Sequence, residues 1–211
     1  MNAISQGWQD LKTAPVSTLQ QWQEQRWIWL LMSGAAAFLI GSAMGYFQWF
    51  LEMDPCEICV YIRFSQFCIL FAGLVIAINP NQVLLKVLGL TLAWYGVVQG
   101  MMWSIDLSML HDASHAMDDV MAGGGDLFAA GGGGGACSTE PTFPLGLPLH
   151  EWFPYEFQPS GICGEDDWSL LGLNMAQYCI IAYSVFGIAL SAVTFGWISR
   201  LTQGHSSVKA H

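Results

Sequence analysis

The sequence predicts an all-α membrane protein, a four-helix transmembrane bundle with a long cysteine-containing loop on one side. Three observations carry that prediction. Hydrophobic residues make up 54% of the 211 positions and charged residues only 10%, against roughly 25% charged in an ordinary soluble domain. Uncharged stretches run from Arg26 to Glu52, Arg63 to Lys86, Lys86 to Asp106 and Asp167 to Arg200, and each can hold the ~20 residues that a helix needs to cross the hydrocarbon core. The remaining charges are sorted by side: 14 of the 16 acidic residues, but only Arg63 of the 6 basic ones, fall on the side that carries the long loop.

Residues 1–27 form the first element, an arm. Trp8, Leu11, Leu19 and Trp22 recur at roughly helical spacing among polar residues, as in a segment lying in the membrane interface. The arm lacks the charged start, apolar core and small-residue cleavage site of a removable signal peptide, so the first span is expected to be its own insertion signal. The transmembrane domain occupies 28–199, with spans near 28–50, 59–78, 83–104 and 172–198, and a tail covers 200–211. Lysine and arginine are retained in short cytoplasmic segments. Lys12, Arg26, Lys86, Arg200 and Lys209 fall in the arm, the middle turn around Asn79-Pro80-Asn81 or the tail, which places both termini in the cytoplasm. The loop 105–171 and the turn before Cys56 then face the periplasm of a bacterial inner membrane. The net charge of −10 describes an acidic outer face and argues against nucleic acid as a partner.

Within the outer loop, Ile105, Leu107, Met109, Leu110, Met117, Val120 and Met121 stand among acids and histidines, a pattern for a short helix prolonging or leaving the third span. A glycine tract at 123–125 and 131–135 favours neither helix nor strand and reads as a tether. From Phe143 to Phe157, prolines break any span, while Trp152, Phe153, Tyr155 and Phe157 suit the headgroup level.

Cys56 and Cys59 have the most informative local context. Asp54 is expected as N-cap, Pro55 at the first helical position and Glu57 at the third, so the second span begins at the motif. Both thiols then sit at the helix N-terminus, where the macrodipole and unpaired N–H groups stabilise a thiolate. Arg63 follows Cys59 by four residues and Cys56 by seven, which sets it on the same helical face, and a buried guanidinium needs an anionic partner or a functional reason. The competing readings are an inert disulfide, a zinc site and a haem. Zinc would call for a second closely spaced pair, whereas Cys137 and Cys163 are 26 apart. A c-type haem would need histidine where Val60 stands, and the expected metal set is none. Redox chemistry is favoured over the inert disulfide by the thiol pair's helix N-terminus and arginine.

Cys137 and Cys163, if joined, would close a 27-residue loop, a staple of roughly 3.5 kcal/mol on chain entropy alone. The glycine tether before Cys137 suits instead a thiol that visits two partners. Cys68 and Cys179 fall inside spans and read as small apolar fillers away from the outer face. No glycine fingerprint of a nucleotide cofactor follows a strand. The acceptor that dissolves where the second span begins is a quinone, and Arg63 is placed to stabilise the charge its oxygens gain.

Met53-Asp54-Pro55-Cys56-Glu57-Ile58-Cys59-Val60-Tyr61-Ile62-Arg63, the second cysteine pair, and Cys163 through Trp168-Ser169-Leu170-Leu171-Gly172-Leu173 together resemble the DsbB family of bacterial inner-membrane disulfide-generating quinone reductases. Tyr61-Ile62-Arg63 and Trp22-Gln23-Glu24-Gln25-Arg26 are most similar to its DsbI branch, which serves a DsbA-like partner called DsbL. The resemblance covers nearly the whole chain. It implies that Cys137 and Cys163 form the disulfide offered to a periplasmic thioredoxin-like protein, with a mixed disulfide at Cys137. Cys163 then engages Cys56, and Cys59 donates to ubiquinone or menaquinone beside Arg63. The family's histidine near the outer end of the third span is replaced, with Leu107 at the matching position. His111 and His115, one turn apart, are candidates to substitute for it or to bind metal, with solvated loop histidines as the favoured reading. Trp168 stands near Cys163 as a lining residue or an interfacial anchor. A vitamin K epoxide reductase-like enzyme and a disulfide-stabilised scaffold are the alternative readings.

Overall fold

The computed structural model describes residues 13, 15–122, 141–161 and 168–208, with backbone alone at 15, 115–122, 145 and 201–208. Cys137, Cys163 and the glycine tract lie outside the described residues, as do Trp8 and Leu11 of the arm. Helix α1 (Pro15–Trp22) leads into α2 (Arg26–Gly41), which continues as a π-helical stretch, Ser42–Phe50. Helices α3 (Glu57–Ile78) and α4 (Val83–Ala122) follow, joined by the turn around Pro80. After the undescribed segment come a 3₁₀ turn (Pro144–Gly146), the short helices α5 (Leu149–Trp152) and α6 (Pro154–Phe157), strands β1 (Ser169–Leu170) and β2 (Leu173–Asn174), and the final helix α7 (Met175–Val208).

Four of these helices are long and apolar enough to span a bilayer: Arg26–Phe50, Glu57–Ile78, Val83–Ser114 and Met175–Arg200. Their outward faces carry Phe38, Trp49, Phe50, Ile78 and Ile188 in exposed positions, an extent of apolar surface that suits lipid rather than water. The third span differs from the expected 83–104. Nothing breaks the helix where acids and histidines enter, so it runs unbroken to Ala122, and the helix expected after the span is a continuation of it.

Lipid gives little hydrophobic drive for helix association, so close packing of small residues and interhelical hydrogen bonds hold the bundle together. Ala36, Ala72 and Ala93 are wholly buried around Trp29, Ile69, Ile76, Tyr183 and Leu190. A Cβ on Gly100 would come within 2.2 Å of the Tyr183 ring and 2.5 Å of Ser65 Oγ, so α4 meets α7 and α3 there because the side chain is missing. Tyr183 donates to the Ile62 carbonyl at 2.8 Å and contacts the Ser65 hydroxyl. Ser33 Oγ donates to the Leu70 carbonyl at 3.0 Å, linking α2 to α3.

Basic residues gather at the end remote from Cys56. Lys86, expected in the middle turn, lies in the first turn of α4 and is buried, donating to Gln23 Oε1 at 3.1 Å. Trp29 Nε1 donates to the Gln23 carbonyl, and Arg200 pairs with Glu24. Helix α1 of the arm packs on α7, with Leu19 against Gly196 and Gln20 donating to Ser199.

Candidate active site

Asp54 does not cap α3. Cys56 is the N-cap, with extended backbone at φ −77° and ψ 169°, and its Sγ accepts the Cys59 N–H at 3.3 Å. The displacement from the expected cap has a cause in the neighbouring chain. The Pro55 carbonyl accepts the N–H groups of Ser160 at 3.0 Å and Gly161 at 3.1 Å, and the Asp54 carboxylate accepts the Ser160 hydroxyl at 2.9 Å. Asp54 and Pro55 are thereby held outside the helix, and the cysteine that follows takes the cap. Glu57 becomes the first helical residue, where its carboxylate faces the dipole's positive end and accepts from Tyr61 at 2.8 Å. The two sulfurs are 2.6 Å apart and not bonded as a disulfide.

Arg63 is buried a turn below Cys59, and its Nη1 donates to Gln48 Oε1 at 3.2 Å and to the Glu156 carbonyl at 2.8 Å. Both of these partners of Nη1 are neutral oxygens, and Nε has no hydrogen-bond partner, so of the two expectations for a buried guanidinium, an anionic partner or a functional reason, these hydrogen bonds leave the second open. Gln48 comes from the π-helical stretch at the end of α2, a geometry frequent at functional sites, and its amide also donates to the Tyr155 carbonyl at 3.2 Å. Gln48 was not anticipated from sequence. A search for charges overlooks it, although an amide inside an apolar span is itself a signal.

Residues 141–161 lie across α3. Phe143 and Phe157 are buried with Val60, and the Phe143 ring packs on Tyr61 and Phe64. The Tyr61 ring stacks on Trp103 at 5.1 Å, and its oxygen accepts the Thr142 N–H at 2.9 Å. The segment is therefore pinned at one end to the motif helix, through Thr142 and Tyr61, and at the other to the residues just before it, through Ser160-Gly161 and Asp54-Pro55. Trp152, Phe153 and Tyr155 are exposed, whereas Phe157, expected with them at the headgroup level, is buried because its ring packs into the Val60 and Phe143 cluster. Beyond the undescribed residues 162–167, Leu171 and Gly172 both have positive φ, 54° and 79°, and turn β1 back on β2 in the register Ser169 with Asn174, the geometry of a tight two-residue hairpin. Trp168 packs edge-on against Phe47 at 4.8 Å and against Tyr178 at 5.8 Å.

Two cavities of about 390 and 400 Å³ meet at Cys59 and Arg63. The first is walled by Asp54, Pro55, Cys56, Gln48, Ser160 and Gly161. The second is largely apolar and runs between the helices past Phe38, Ile62, Leu107, Trp168 and Gln66. Cys179, expected as a filler away from the outer face, also lines it. That position is only four residues into α7, because the helix starts at Met175. Cys68 is buried in the core as expected. His111 is half-buried on α4, and the His115 side chain lies outside the described residues.

A motif pair on a capped helix, with a buried arginine beneath it and a loop strapped over it, has a counterpart among known proteins. Residues 25–193 match the model of the disulfide bond formation protein DsbB. The chain belongs to the DsbB family. A DsbI relative from Shewanella oneidensis is 55% identical over 93% of this chain and 92% of that protein. The protein-disulfide oxidoreductase DsbI of Lelliottia amnigena is 48% identical over 82% of this chain and 73% of its own. That of Salmonella typhimurium is 39% identical over 97% of this chain and its entire length. Within the DsbB family the chain is thus most similar to DsbI proteins. Arg63 and Gln66 border the apolar cavity, and each has a buried side-chain atom without a hydrogen-bond partner, Nε and Oε1, so two polar side chains stand in a wall that otherwise suits a hydrocarbon ligand. A quinone fits that description.

Proposed function

We propose that this oxidoreductase of disulfide formation reoxidises a periplasmic thioredoxin-like partner of the DsbA or DsbL type. The electrons pass through Cys137/Cys163 and Cys56/Cys59 to a membrane quinone. The observation that carries this reading is the position of Cys59 and Arg63 in the common wall of two cavities, a more polar one beside the loop and a more apolar one between the helices. A group in that wall can exchange disulfides on one side and meet a lipid-soluble oxidant on the other. The tether of Ser160 and Gly161 to Pro55 adds support, since Cys163 is two residues along the chain from Gly161 and Cys56 follows Pro55.

In this reading the partner's thiolate attacks the Cys137–Cys163 disulfide and forms a mixed disulfide at Cys137. The partner's second thiolate resolves it, releasing an oxidised partner. The Cys163 thiolate attacks Cys56 of the Cys56–Cys59 disulfide and Cys59 leaves as a thiolate, stabilised by the N-terminus of α3 and by Arg63. The Cys137 thiolate then attacks Cys163, which restores the Cys137–Cys163 disulfide and releases Cys56, so that Cys56 and Cys59 are left as the reduced pair. Arg63 and the apolar wall would hold a quinone, which would supply a two-electron, two-proton acceptor for the reduced Cys56/Cys59 pair. One dithiol is oxidised for each quinone reduced. Arg63 Nε would hold a quinone oxygen, while Gln48 and the Glu156 carbonyl fix the guanidinium from the other side. The lysines and arginines at the opposite end of the bundle support cytoplasmic termini, with residues 1–27 as an interfacial arm, 28–199 as the membrane domain and 200–211 as a tail.

Mixing purified protein with a reduced DsbA-like protein and ubiquinone, and following quinone absorbance, tests the assignment. Thiol-dependent quinol formation is expected, and its loss in Cys59→Ser. Absence of the reaction in the unaltered protein defeats the proposal.

A further inference from the structure

Besides Arg63, the wall of the apolar cavity holds a second polar side chain, Gln66. Cys59, Arg63 and Gln66 stand at i, i+4 and i+7 of α3 and so descend one face of the helix. Gln66 is 6% exposed, borders the cavity with Leu107 and Ile62, and its Oε1 has no hydrogen-bond partner. The nearby hydroxyls are committed elsewhere: Ser42 to the Phe38 carbonyl and Tyr178 to the Leu170 carbonyl. A buried amide oxygen left without a donor is costly, so its retention in a hydrocarbon setting calls for a ligand, and a quinol hydroxyl is a donor that can satisfy it. Leu107, on the opposing α4, offers only hydrocarbon.

We infer that Gln66 is a second hydrogen-bonding residue for the quinone, taking the oxygen that Arg63 does not hold. This rests on the quinone reading above. The amide suits both redox forms. A quinone oxygen is an acceptor and meets the N–H side of the amide, whereas a quinol hydroxyl is also a donor and meets its oxygen. Arginine has donors only, so the pair combines a fixed cationic contact with one that tolerates the change from quinone to quinol.

Binding of a short-chain ubiquinone to the oxidised, detergent-solubilised protein tests this without turnover, because no electrons are available. Calorimetric titration of Gln66→Leu and of the unbranched Gln66→Met is expected to show a five- to tenfold rise in Kd. The infrared spectrum of bound quinone is expected to lose the shift of one carbonyl band and retain the other. Unchanged Kd and both bands in place overturn the role of Gln66 while leaving the quinone site standing. A higher Kd with both bands still shifted also overturns it, since that is the mark of altered packing alone. No saturable binding by the unaltered protein overturns the inference together with the reading beneath it.

Discussion

At the scale of single residues, Arg63 and Cys56 each combine a structural task with a chemical one. Arg63 is buried with Nη1 engaged by Gln48 and the Glu156 carbonyl, so replacing it removes a loop anchor as well as a charge. A hydrogen bond from a charged donor contributes about 1.5–3 kcal/mol. Arg63→Ala is therefore expected to raise the apparent KM for quinone ten- to a hundredfold, and turnover at low quinone measures it. Unchanged turnover there would mean that the guanidinium does not touch the acceptor. Cys56 caps α3 through its sulfur, and serine can take over the cap while alanine cannot. Both Cys56→Ser and Cys56→Ala should abolish thiol-dependent quinone reduction, but only the alanine variant should lose about 1 kcal/mol of stability in addition. Equal melting curves for the two variants would show that the sulfur is not capping.

At the scale of elements, helix contact depends on absent side chains. The Gly100 site leaves no room for a methyl group beside Tyr183 and Ser65, and Tyr183 holds the Ile62 carbonyl one residue before Arg63. Gly100→Ala should cost about 1–3 kcal/mol by overpacking, seen as a lower thermal midpoint in detergent. Full stability would mean that α4 and α7 stand further apart than described. The spans and the motif helix were legible because they rest on local signals: runs without charge, a proline beside the cysteines, and the four-residue interval from Cys59 to Arg63. What was not legible was set by distant contacts. Ser160 and Gly161 claim Pro55 and shift the cap to Cys56, and the π-helical stretch turns Gln48 toward Arg63. The depth of Cys179 in the wall depends on where α7 begins. Gln66 carried a signal in its polarity, which a search for charged groups passes over.

At the scale of the whole molecule, the two ends of the bundle differ in kind. One end carries the Cys56 motif, the 141–161 strap and the acidic loop, and the other carries Lys86, Arg200 and the arm, held by Gln23 and Glu24. The proposed thiol exchange with a periplasmic protein requires the first end to face outward, and the positive charge at the second end is of the kind retained in the cytoplasm. Asn81 and Leu171 report on the two ends, since both are exposed and neither borders the cavities. In a variant whose native cysteines are replaced, Leu171→Cys should react with a membrane-impermeant maleimide in intact spheroplasts. Asn81→Cys should react only after the membrane is opened. Leu171 lies at the tip of the hairpin beside Trp168, so its labelling reports the side on which the cavity walled by Cys59 and Trp168 opens. The reverse pattern would place Cys56 and Cys59 in the cytoplasm, where no periplasmic thiol could reach them, and would remove the basis for electron flow from a secreted partner into the membrane.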